Sequence, residues 1–466
     1  MIEYFHSVRL ISERCKGCVS CIKRCPTEAI RIRGGKAKIT ESRCIDCGEC
    51  IRYCPNRAKT AVTDSLADIK RYPHNVALPA PSLYSQFEAQ VTVDAILCGL
   101  LSLGFDEVFD VAVGAEVVTT AIRELLQHKQ VKRPLISSAC PAVVRLIQVK
   151  FPELIDHLVP FEAPVEIAAR MVREEYARRT GRPQDELGVW FITPCPAKLT
   201  AIRQPLGDLP SNISGAISIA DIFGELRRVI LQKPAAVAKC RRASWAGMGW
   251  AVAGGETEAA GVLNTLVVHE IHSISNVLEQ VAMGKLKDID YVEALACAGG
   301  CIGGPLMVEN RFVAEHRMRN RLAVGKRLQP QPELPLAPED LVQRGTLEPR
   351  PIMRLDEDIS KALYKVEQME RTLERLPGLD CGSCGSPTCK ALAEDIVQGQ
   401  ASEMDCIFKL RERVHELAKE MMGLAEKLPP SLDKKEKKGA IRDGKSKRVA
   451  GTSGRRGGSD DSGGGA

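Results

Sequence analysis

Aromatic residues make up only 4% of this 466-residue sequence, and long hydrophobic runs are also lacking. So few aromatic rings argue against a stacking platform for single-stranded nucleic acid. The most apolar stretch, residues 91–105, contains Asp94 and is shorter than the roughly 20 residues that a membrane span requires. A phosphate-binding glycine loop is absent as well. We therefore expect no transmembrane segment, no nucleic-acid partner and no nucleotide or flavin cofactor.

The positive charge is concentrated at one end of the chain. The net charge is +6, but residues 433–461 alone hold ten basic and five acidic residues. The remainder is close to neutral, which gives little support to a basic nucleic-acid surface. Residues 429–466, rich in Lys, Gly and Ser, are too polar to bury a core, so we expect them to form a disordered basic tail.

Cysteine, by contrast, is abundant, with eighteen in the sequence. The first residues show neither the basic nor the apolar segment of a secretory leader, so we expect a cytoplasmic protein. In that reducing compartment, clustered cysteines are metal ligands more often than disulfides. The chain is also too long for one hydrophobic core, so several domains are expected.

Residues 1–64 contain an internal repeat of cysteines. Each copy has the spacing C-x2-C-x2-C-x3-C-P. In this pattern three cysteines of one copy and the fourth of the other bind one [4Fe-4S] cluster, which joins the copies into a βαββαβ unit. The first cluster is expected at Cys15, Cys18, Cys21 and Cys54, and the second at Cys44, Cys47, Cys50 and Cys25. Zinc ribbons do not use this triple spacing, and the module resembles a bacterial two-cluster ferredoxin, which carries single electrons.

The central region alternates strand-like and helical segments. Strands are predicted at residues 108–113, 135–138, 188–193 and 291–295, and helices at residues 117–127, 141–149, 164–178, 219–232 and 274–283. This alternation predicts an α/β domain, in which ligands bind beyond the carboxyl ends of strands. Three such loops carry the cysteines Cys140, Cys195, Cys297 and Cys301. Taken singly, Cys140 or Cys195 reads as a small buried side chain, but together the four predict one four-thiolate [4Fe-4S] site.

The same loops carry a resemblance to a known family. Residues 137–141, 193–198 and 293–304 are similar to the TSCCP, MPCxxK and ExMxCxxGCxxGG motifs of the [FeFe]-hydrogenase large subunit, and weaker matches lie at residues 80–82, 109–110, 114–115 and 254–255. The resemblance implies a two-lobed α/β domain over residues 70–350. It also implies an H-cluster, in which a [4Fe-4S] cluster shares one cysteine with a two-iron unit that carries CO and cyanide.

Three residues receive roles from this resemblance. Cys301 would be the shared thiolate, and Lys198 and Ser82 would each donate a hydrogen bond to a cyanide. Taken alone, Lys198 reads as a solvated surface side chain, and Ser82 reads as a helix cap.

Several positions depart from the family pattern. Ala139 stands where catalytic relatives have a proton-carrying cysteine, and Thr193 and Leu295 stand where they have methionines. Val165 and Trp250 replace a polar residue and a phenylalanine. A methyl group carries no proton, and losing a positioned acid or base typically removes about 10²–10⁴ in rate. The departures resemble the sensory subgroup of the family, in which H2 is bound and read rather than turned over quickly.

Residues 356–428 form a further predicted module. Its cysteines are Cys381, Cys384, Cys389 and Cys406, and a helix of about four turns is expected before the last of them. Four thiols in this arrangement can hold one more [4Fe-4S] cluster, and zinc is the alternative. The module resembles the small helical iron–sulfur domain of electron-bifurcating and corrinoid-reducing proteins. The two cysteines left over, Cys98 and Cys240, are expected to be structural.

Beyond Cys406 the apolar residues recur at alternating spacings of three and four. They are Ile407, Leu410, Val414, Leu417, Met421, Leu424 and Leu428. Such a heptad seam is typical of a parallel two-stranded coiled coil, although a helix packed on its own domain gives a similar stripe. The helix over residues 407–428 is therefore a candidate contact with a second copy of the chain or with a signalling partner.

The sequence thus predicts an iron–sulfur oxidoreductase of α+β and α/β domains that binds and heterolytically cleaves H2 with low turnover, as a redox or H2 sensor, and exchanges electrons with a partner protein. Its expected cofactors are three [4Fe-4S] clusters outside the active site and one H-cluster if the two-iron unit is installed. Three alternatives stay open. One is a catalytic ferredoxin-linked hydrogenase with another proton route, and the second is a non-catalytic iron–sulfur carrier or scaffold without the two-iron unit. The third is a redox-gated signalling protein whose hydrogenase domain never meets H2.

Overall fold

The computed structural model describes residues 4–128, 131–207, 210–232, 243–325, 347–350, 355–356 and 358–427. The chain divides into two compact units, residues 1–407 and residues 408–466. Within the described residues, no helix is both long enough and apolar enough to cross a membrane.

The amino-terminal cysteine repeat folds as a small βαββαβ unit. Its elements are β1 (Val8–Leu10), α1 (Ser20–Lys23), β2 (Ile30–Arg33), β3 (Lys36–Ile39), α2 (Glu49–Arg52) and β4 (Lys59–Ala61). Strand β1 pairs antiparallel with β4, and β2 pairs antiparallel with β3. The helices place Cys21 and Cys50 in a small core with Val8, Ile22 and Ile30. The expected order of elements is confirmed.

A four-stranded parallel sheet forms the first lobe of the central domain. Its strands are β5 (His74–Pro79), β6 (Glu107–Val108), β8 (Leu187–Thr193) and β9 (Gly215–Ser218), in the order β6-β5-β8-β9. Every residue of β8 is buried, as expected for a parallel strand that is covered on both faces. Around this sheet lie α3 (Val93–Ser102), α4 (Val111–Gln127), α6 (Pro164–Thr180), α7 (Pro196–Arg203) and α8 (Ile219–Gln232).

A three-stranded parallel sheet forms the second lobe. Its strands are β7 (Leu135–Ile136), β10 (Thr265–His269) and β11 (Tyr291–Leu295), in the order β10-β11-β7. The helices α5 (Pro141–Lys150) and α11 (Ile271–Ala282) pack on it through Val143, Ile147 and Leu278. Two separate sheets account for the two-lobed α/β architecture that the sequence predicts.

The remaining helices are α9 (Trp245–Gly249), α10 (Gly255–Ala260), α12 (Arg311–Gly325), α13 (Ile359–Arg375), α14 (Cys389–Val397) and α15 (Ile407–Glu426). Two local predictions are wrong. Residues 111–113 begin α4 instead of ending a strand, because Asp110 caps that helix by accepting a hydrogen bond from the Ala112 amide at 3.1 Å. The segment before Cys406 holds the nine-residue α14 and a short 3-10 turn, not one four-turn helix.

Candidate active site and iron–sulfur sites

Three loops at the carboxyl ends of strands bring four cysteines together. Cys140 follows β7 and directly precedes α5, and Cys195 follows β8 and directly precedes α7. Cys297 and Cys301 follow β11. The first turn of a helix presents free amide groups and the positive end of the helix dipole, which favour a negatively charged group. The fold therefore places two of these cysteines at the amino-terminal ends of helices.

The four sulfurs act on one another electrostatically. Burial raises the pKa of the Cys195 thiol, and Cys297, Cys140 and Cys301 raise it further while Lys198 lowers it. Burial likewise raises the pKa of Cys301 to about 12, against the lowering effect of Lys198. Four thiolates in one buried space repel one another unless cations neutralise them. Iron in a [4Fe-4S] cluster supplies that charge, so the donor set fits the predicted cluster.

The loop that carries Cys301 depends on a glycine. Gly300 has a φ of +98°, and a Cβ at this position would lie 2.7 Å from the Ala253 amide nitrogen. The loop is fixed there by hydrogen bonds from the Ala253 amide to the Gly299 carbonyl at 3.1 Å and from the Ile302 amide to the Ala251 carbonyl at 3.1 Å. A side chain at Gly300 would therefore displace the cysteine.

A cavity of about 60 Å³ opens beside Cys301. Its wall includes Ala80, Pro81, Ser82, Val111, Ala115, Ala139, Pro164, Val165, Phe191, Pro194, Lys198, Trp250, Ala251, Glu256, Leu295 and Cys301. The wall draws on the loops after strands of both sheets, so the cavity lies where the two lobes meet. Ser82, Lys198 and Cys301, to which the family resemblance assigns roles, all reach it.

The surroundings of Ser82 and Lys198 fit anionic ligands in this cavity. The Ser82 hydroxyl is fully buried and has no hydrogen-bond partner among the described residues. Ser82 lies inside a 3-10 helix, Pro81–Gln86, whose cap is Ala80, so the helix-cap reading is wrong. The ammonium of Lys198 is half-buried and donates to the Ala139 carbonyl at 3.1 Å. Both groups can donate hydrogen bonds into the cavity, and a cyanide ligand could accept them.

The residues that depart from the family pattern cluster around the same space. Ala139, Val165, Trp250 and Leu295 all line the cavity. Thr193 instead holds the Cys195 loop, because its hydroxyl donates to the Cys195 carbonyl at 3.0 Å. Four of the five substitutions therefore change the wall of the cavity itself.

Glu256 is a cavity residue that sequence reasoning missed. Its carboxylate accepts hydrogen bonds from the Ser137 hydroxyl at 2.8 Å and from the Tyr291 hydroxyl at 2.5 Å. Burial and, to a smaller extent, the nearby Glu293 carboxylate raise the pKa of Glu256 to about 8, against the lowering effect of these hydrogen bonds. Glu293, whose pKa burial also raises, accepts from the amides of Gly254 and Thr257. The only sequence signal was an acid directly after a Gly-Gly pair.

The two cysteine sets predicted for the ferredoxin repeat each line a small cavity of their own. One cavity is lined by Cys15, Cys18, Cys21 and Cys54, and the other by Cys25, Cys44, Cys47 and Cys50. Burial raises the pKa of Cys21 to about 11, with smaller contributions from the other three sulfurs of its set. We refer to the first set as the outer site and to the second as the inner site.

Arg52 connects the inner site with the active-site loops. It follows Cys50 in α2, forms an ion pair with Glu49, and donates to the Gly303 carbonyl and to the Cys297 sulfur. Gly48 packs so closely that a Cβ there would lie 2.4 Å from a Pro305 side-chain carbon. The inner site therefore lies directly against the loop that carries Cys297 and Cys301.

The carboxyl-terminal cysteines are brought together in part. Burial raises the pKa of Cys384, and Cys406 and Cys381 raise it further, so these three sulfurs are neighbours. Cys389 begins α14, and its amide donates to Asp380 at 2.6 Å. Cys98 lies in α3, away from the predicted ligand loops, and Cys240 lies outside the described residues.

Basic residues of the ferredoxin repeat hold this carboxyl-terminal segment. Asp395 accepts from Arg31 at 2.6 Å and from Arg33 at 2.7 Å, and Glu394 pairs with Arg43. These charged groups are at most 25% exposed.

The cysteine loop of the same segment touches the outer site. A Cβ at Gly382 would lie 3.4 Å from Ile22 and 3.5 Å from Val19, which flank Cys21. Lys23 donates to the Pro387 carbonyl at 2.9 Å. The Cys381–Cys384 loop therefore packs against the outer site.

Comparison with known families agrees with this geometry. The model of the iron only hydrogenase large subunit, C-terminal domain, matches residues 74–305. A 4Fe-4S dicluster domain matches residues 7–55, and an Fe-S cluster domain matches residues 376–408. The three matches contain sixteen cysteines that the sequence analysis assigned to clusters.

Individual relatives are distant. The NADP-reducing hydrogenase subunit HndD of Solidesulfovibrio fructosivorans is 23% identical over 62% of this chain and 55% of its own length. The nuclear prelamin A recognition factor of Homo sapiens is 24% identical over 48% of this chain and 61% of its own length. The chain thus spans little more than half the length of these two relatives. The periplasmic [Fe] hydrogenase large subunit of Nitratidesulfovibrio vulgaris is 26% identical over 69% of this chain and 92% of its own length.

Among solved structures, an [FeFe]-hydrogenase from Chlamydomonas reinhardtii is 16% identical, with a TM-score of 0.45 over 61% of this chain and 91% of that one. The match of the hydrogenase family model, together with the hydrogenase relatives, assigns residues 74–305 of this chain to the iron only ([FeFe]) hydrogenase large-subunit family.

Proposed function

We propose that this chain is an H2 sensor, in which H2 is bound and heterolytically cleaved with low turnover in the cavity and the electrons pass to iron–sulfur sites. The observation that carries the proposal is the cavity wall, where Cys301, Lys198 and the unpartnered Ser82 hydroxyl meet while Ala139 offers no proton carrier. Hydrogenase relatives support the chemistry at the level of the family.

The chain's own residues would divide the work of binding. Cys140, Cys195, Cys297 and Cys301 would hold the [4Fe-4S] cluster, and Cys301 would also hold the two-iron unit. That unit, when bound, supplies the centre at which H2 is split. Lys198 and Ser82 would orient it through hydrogen bonds to its anionic ligands. The apolar side chains of Val165, Phe191 and Trp250 would keep water from it.

Glu256 would take over the proton that Ala139 cannot carry. Its carboxyl group lines the cavity, and a pKa of about 8 lets it both accept and release a proton near neutral pH. The hydroxyls of Ser137 and Tyr291 hold the carboxylate in place. Because Glu256 is 3% exposed, the release of its proton to solvent would be slow, in keeping with sensing more than with rapid turnover.

The contacts between sites suggest an electron route. The active-site loops touch the inner site through Arg52, and the outer site touches the carboxyl-terminal cysteines through the Gly382 loop. Electrons from H2 would pass from the cavity to the inner site, then to the outer site, and then to the carboxyl-terminal cluster. A redox or signalling partner in the cytoplasm would be reached from that end.

Infrared spectroscopy of protein matured with its assembly factors tests the proposal. We expect bands from metal-bound CO and cyanide that change under H2. Cys301→Ser should lose the bands, while Cys98→Ser, which removes a cysteine outside the sites, should keep them. Iron-replete protein without such bands would contradict the proposal and favour a non-catalytic electron carrier. Dye-linked H2 evolution at common enzyme rates of about 1–10³ per second would favour a catalytic hydrogenase.

A further inference from the structure

The two halves of the ferredoxin repeat differ at one buried position. In each half, the fifth residue after the last cysteine begins a strand and lines a four-cysteine cavity. The first half has Ile30 beside the inner site, and the second half has Lys59 beside the outer site. Ile30 is 2% exposed and Lys59 is 4% exposed. A core position that one half fills with an isoleucine therefore holds an ammonium group in the other.

The ammonium of Lys59 is buried beside the cysteines of the outer site. Its nitrogen has no hydrogen-bond partner among the described residues. Burying an unpaired charge is strongly unfavourable, so such a group implies an anion nearby. The groups on which its charge acts include the sulfurs of Cys15 and Cys21 in the outer site and of Cys50 in the inner site. A [4Fe-4S] cluster bound by four thiolates is an anion, and it would neutralise the buried ammonium of Lys59.

We propose that Lys59 tunes electron transfer by stabilising the reduced clusters of the ferredoxin repeat, chiefly the cluster at the outer site. One-electron reduction of a [4Fe-4S] cluster with four thiolates converts a dianion into a trianion, with no bond broken and no proton required. A fixed positive charge in a poorly solvated interior stabilises the trianion more than the dianion, so the reduction potential rises. Because Lys59 lines the outer cavity only, the outer cluster gains most.

This asymmetry gives the electron route a direction. The inference rests on the proposed function in taking these cysteine sets as iron–sulfur sites and H2 as the source of electrons. An electron that leaves the inner site would settle on the outer site, next to the Gly382 loop of the carboxyl-terminal module. Lys59 would therefore act by setting the relative reduction potentials of the two clusters, without contacting a substrate.

A redox titration of the full chain, reconstituted with iron and sulfide and followed by electron paramagnetic resonance, tests the inference without H2 or a two-iron unit. In Lys59→Met and Lys59→Gln, the ratio of reduced to oxidised cluster at one ferredoxin site should fall at least tenfold at a fixed potential, which corresponds to about 59 mV for one electron. The second ferredoxin cluster should shift less in the same direction. Lys59→Arg should restore the native potentials.

Ile30→Met is the matched control, since it introduces the same side chain at the equivalent position, and it should leave both potentials unchanged. Unchanged or raised potentials in either neutral variant would overturn the inference. Loss of outer-site iron from both neutral variants would also overturn it, because Lys59 would then act in folding. The reduction potentials measured in this titration do not depend on whether the matured protein binds H2. Infrared spectroscopy therefore tests the proposed function separately.

Discussion

At the scale of single residues, the proposed function assigns proton movement to Glu256. Glu256→Gln keeps the size of the side chain but removes its ability to gain and lose a proton. We therefore expect H2 turnover to fall at least tenfold, in the direction expected when a positioned acid or base is lost, while the infrared bands remain. A dye-linked assay measures the change. Glu258→Gln, an exposed position on the same helix, should retain activity, and equal losses in both variants would contradict the role of Glu256.

The raised pKa of Glu256 also predicts how stability depends on pH. Below a pH of about 4.5 the carboxyl group is protonated in both the folded and the unfolded chain. Between there and about 8 the unfolded chain releases this proton while the folded chain keeps it, so the free energy of unfolding contributed by this group falls as pH rises. Above about 8 it levels off. Denaturant unfolding of cluster-loaded protein across this range should show a shallower decline for Glu256→Gln than for the native chain, and parallel curves would contradict the assignment.

At the scale of elements, sequence patterns located most segments but not all of their limits. The apolar run that becomes β8 was predicted because buried parallel strands are continuously hydrophobic, and β11 was predicted although it contains Glu293. Residues 111–113 were misassigned because their valines favour a strand, whereas the Asp110 cap and burial against α6 and α9 favour the helix. A local sequence pattern does not show whether a helix cap and contacts with distant residues outweigh the strand preference of the valines.

Helix α14 is predicted to hold the carboxyl-terminal module on the ferredoxin repeat. Asp395→Asn would leave Arg33 without its carboxylate partner and Arg31 with only Glu394, at 3.9 Å, and breaking a buried ion pair typically costs about 3–5 kcal/mol. We expect faster proteolysis of residues 376–407 and weaker magnetic coupling between the outer and carboxyl-terminal clusters. Glu403→Gln, which breaks a more exposed pair with Arg375, should do neither. Native coupling in the Asp395 variant would rule out this docking role.

Helix α15 carries the predicted heptad seam on an exposed face. Its described seam residues, Ile407, Leu410, Val414, Leu417, Met421 and Leu424, are 42–70% exposed, and Leu428 lies outside the described residues. If the seam pairs two chains, the native protein is a dimer and Leu417→Glu is a monomer, because a charge at a core position opposes coiled-coil packing. Light scattering after gel filtration measures this. Met422→Glu, off the seam, should stay dimeric, and a monomeric native chain would contradict pairing.

At the scale of the whole molecule, the sequence predicts the cysteine sites better than the groups that surround them. Cysteine spacing specifies ligand sets because each loop supplies its ligands locally, and the observed cavities contain the predicted ferredoxin sets. Glu256 and Lys59 could not be found in this way. Their importance comes from burial and from neighbours such as Tyr291, which is 35 residues from Glu256 in the sequence. The arginines that bind Glu394 and Asp395 are likewise more than 350 residues away.

The central claim is that H2 in the cavity supplies electrons to the iron–sulfur sites. Electron paramagnetic resonance of matured protein, incubated under H2 or under argon without other reductant, tests it most directly. Signals of reduced [4Fe-4S] clusters should develop under H2 in the native chain and should fail to develop in Cys301→Ser. Clusters that dithionite reduces but that stay oxidised under H2 in the native chain would contradict the account.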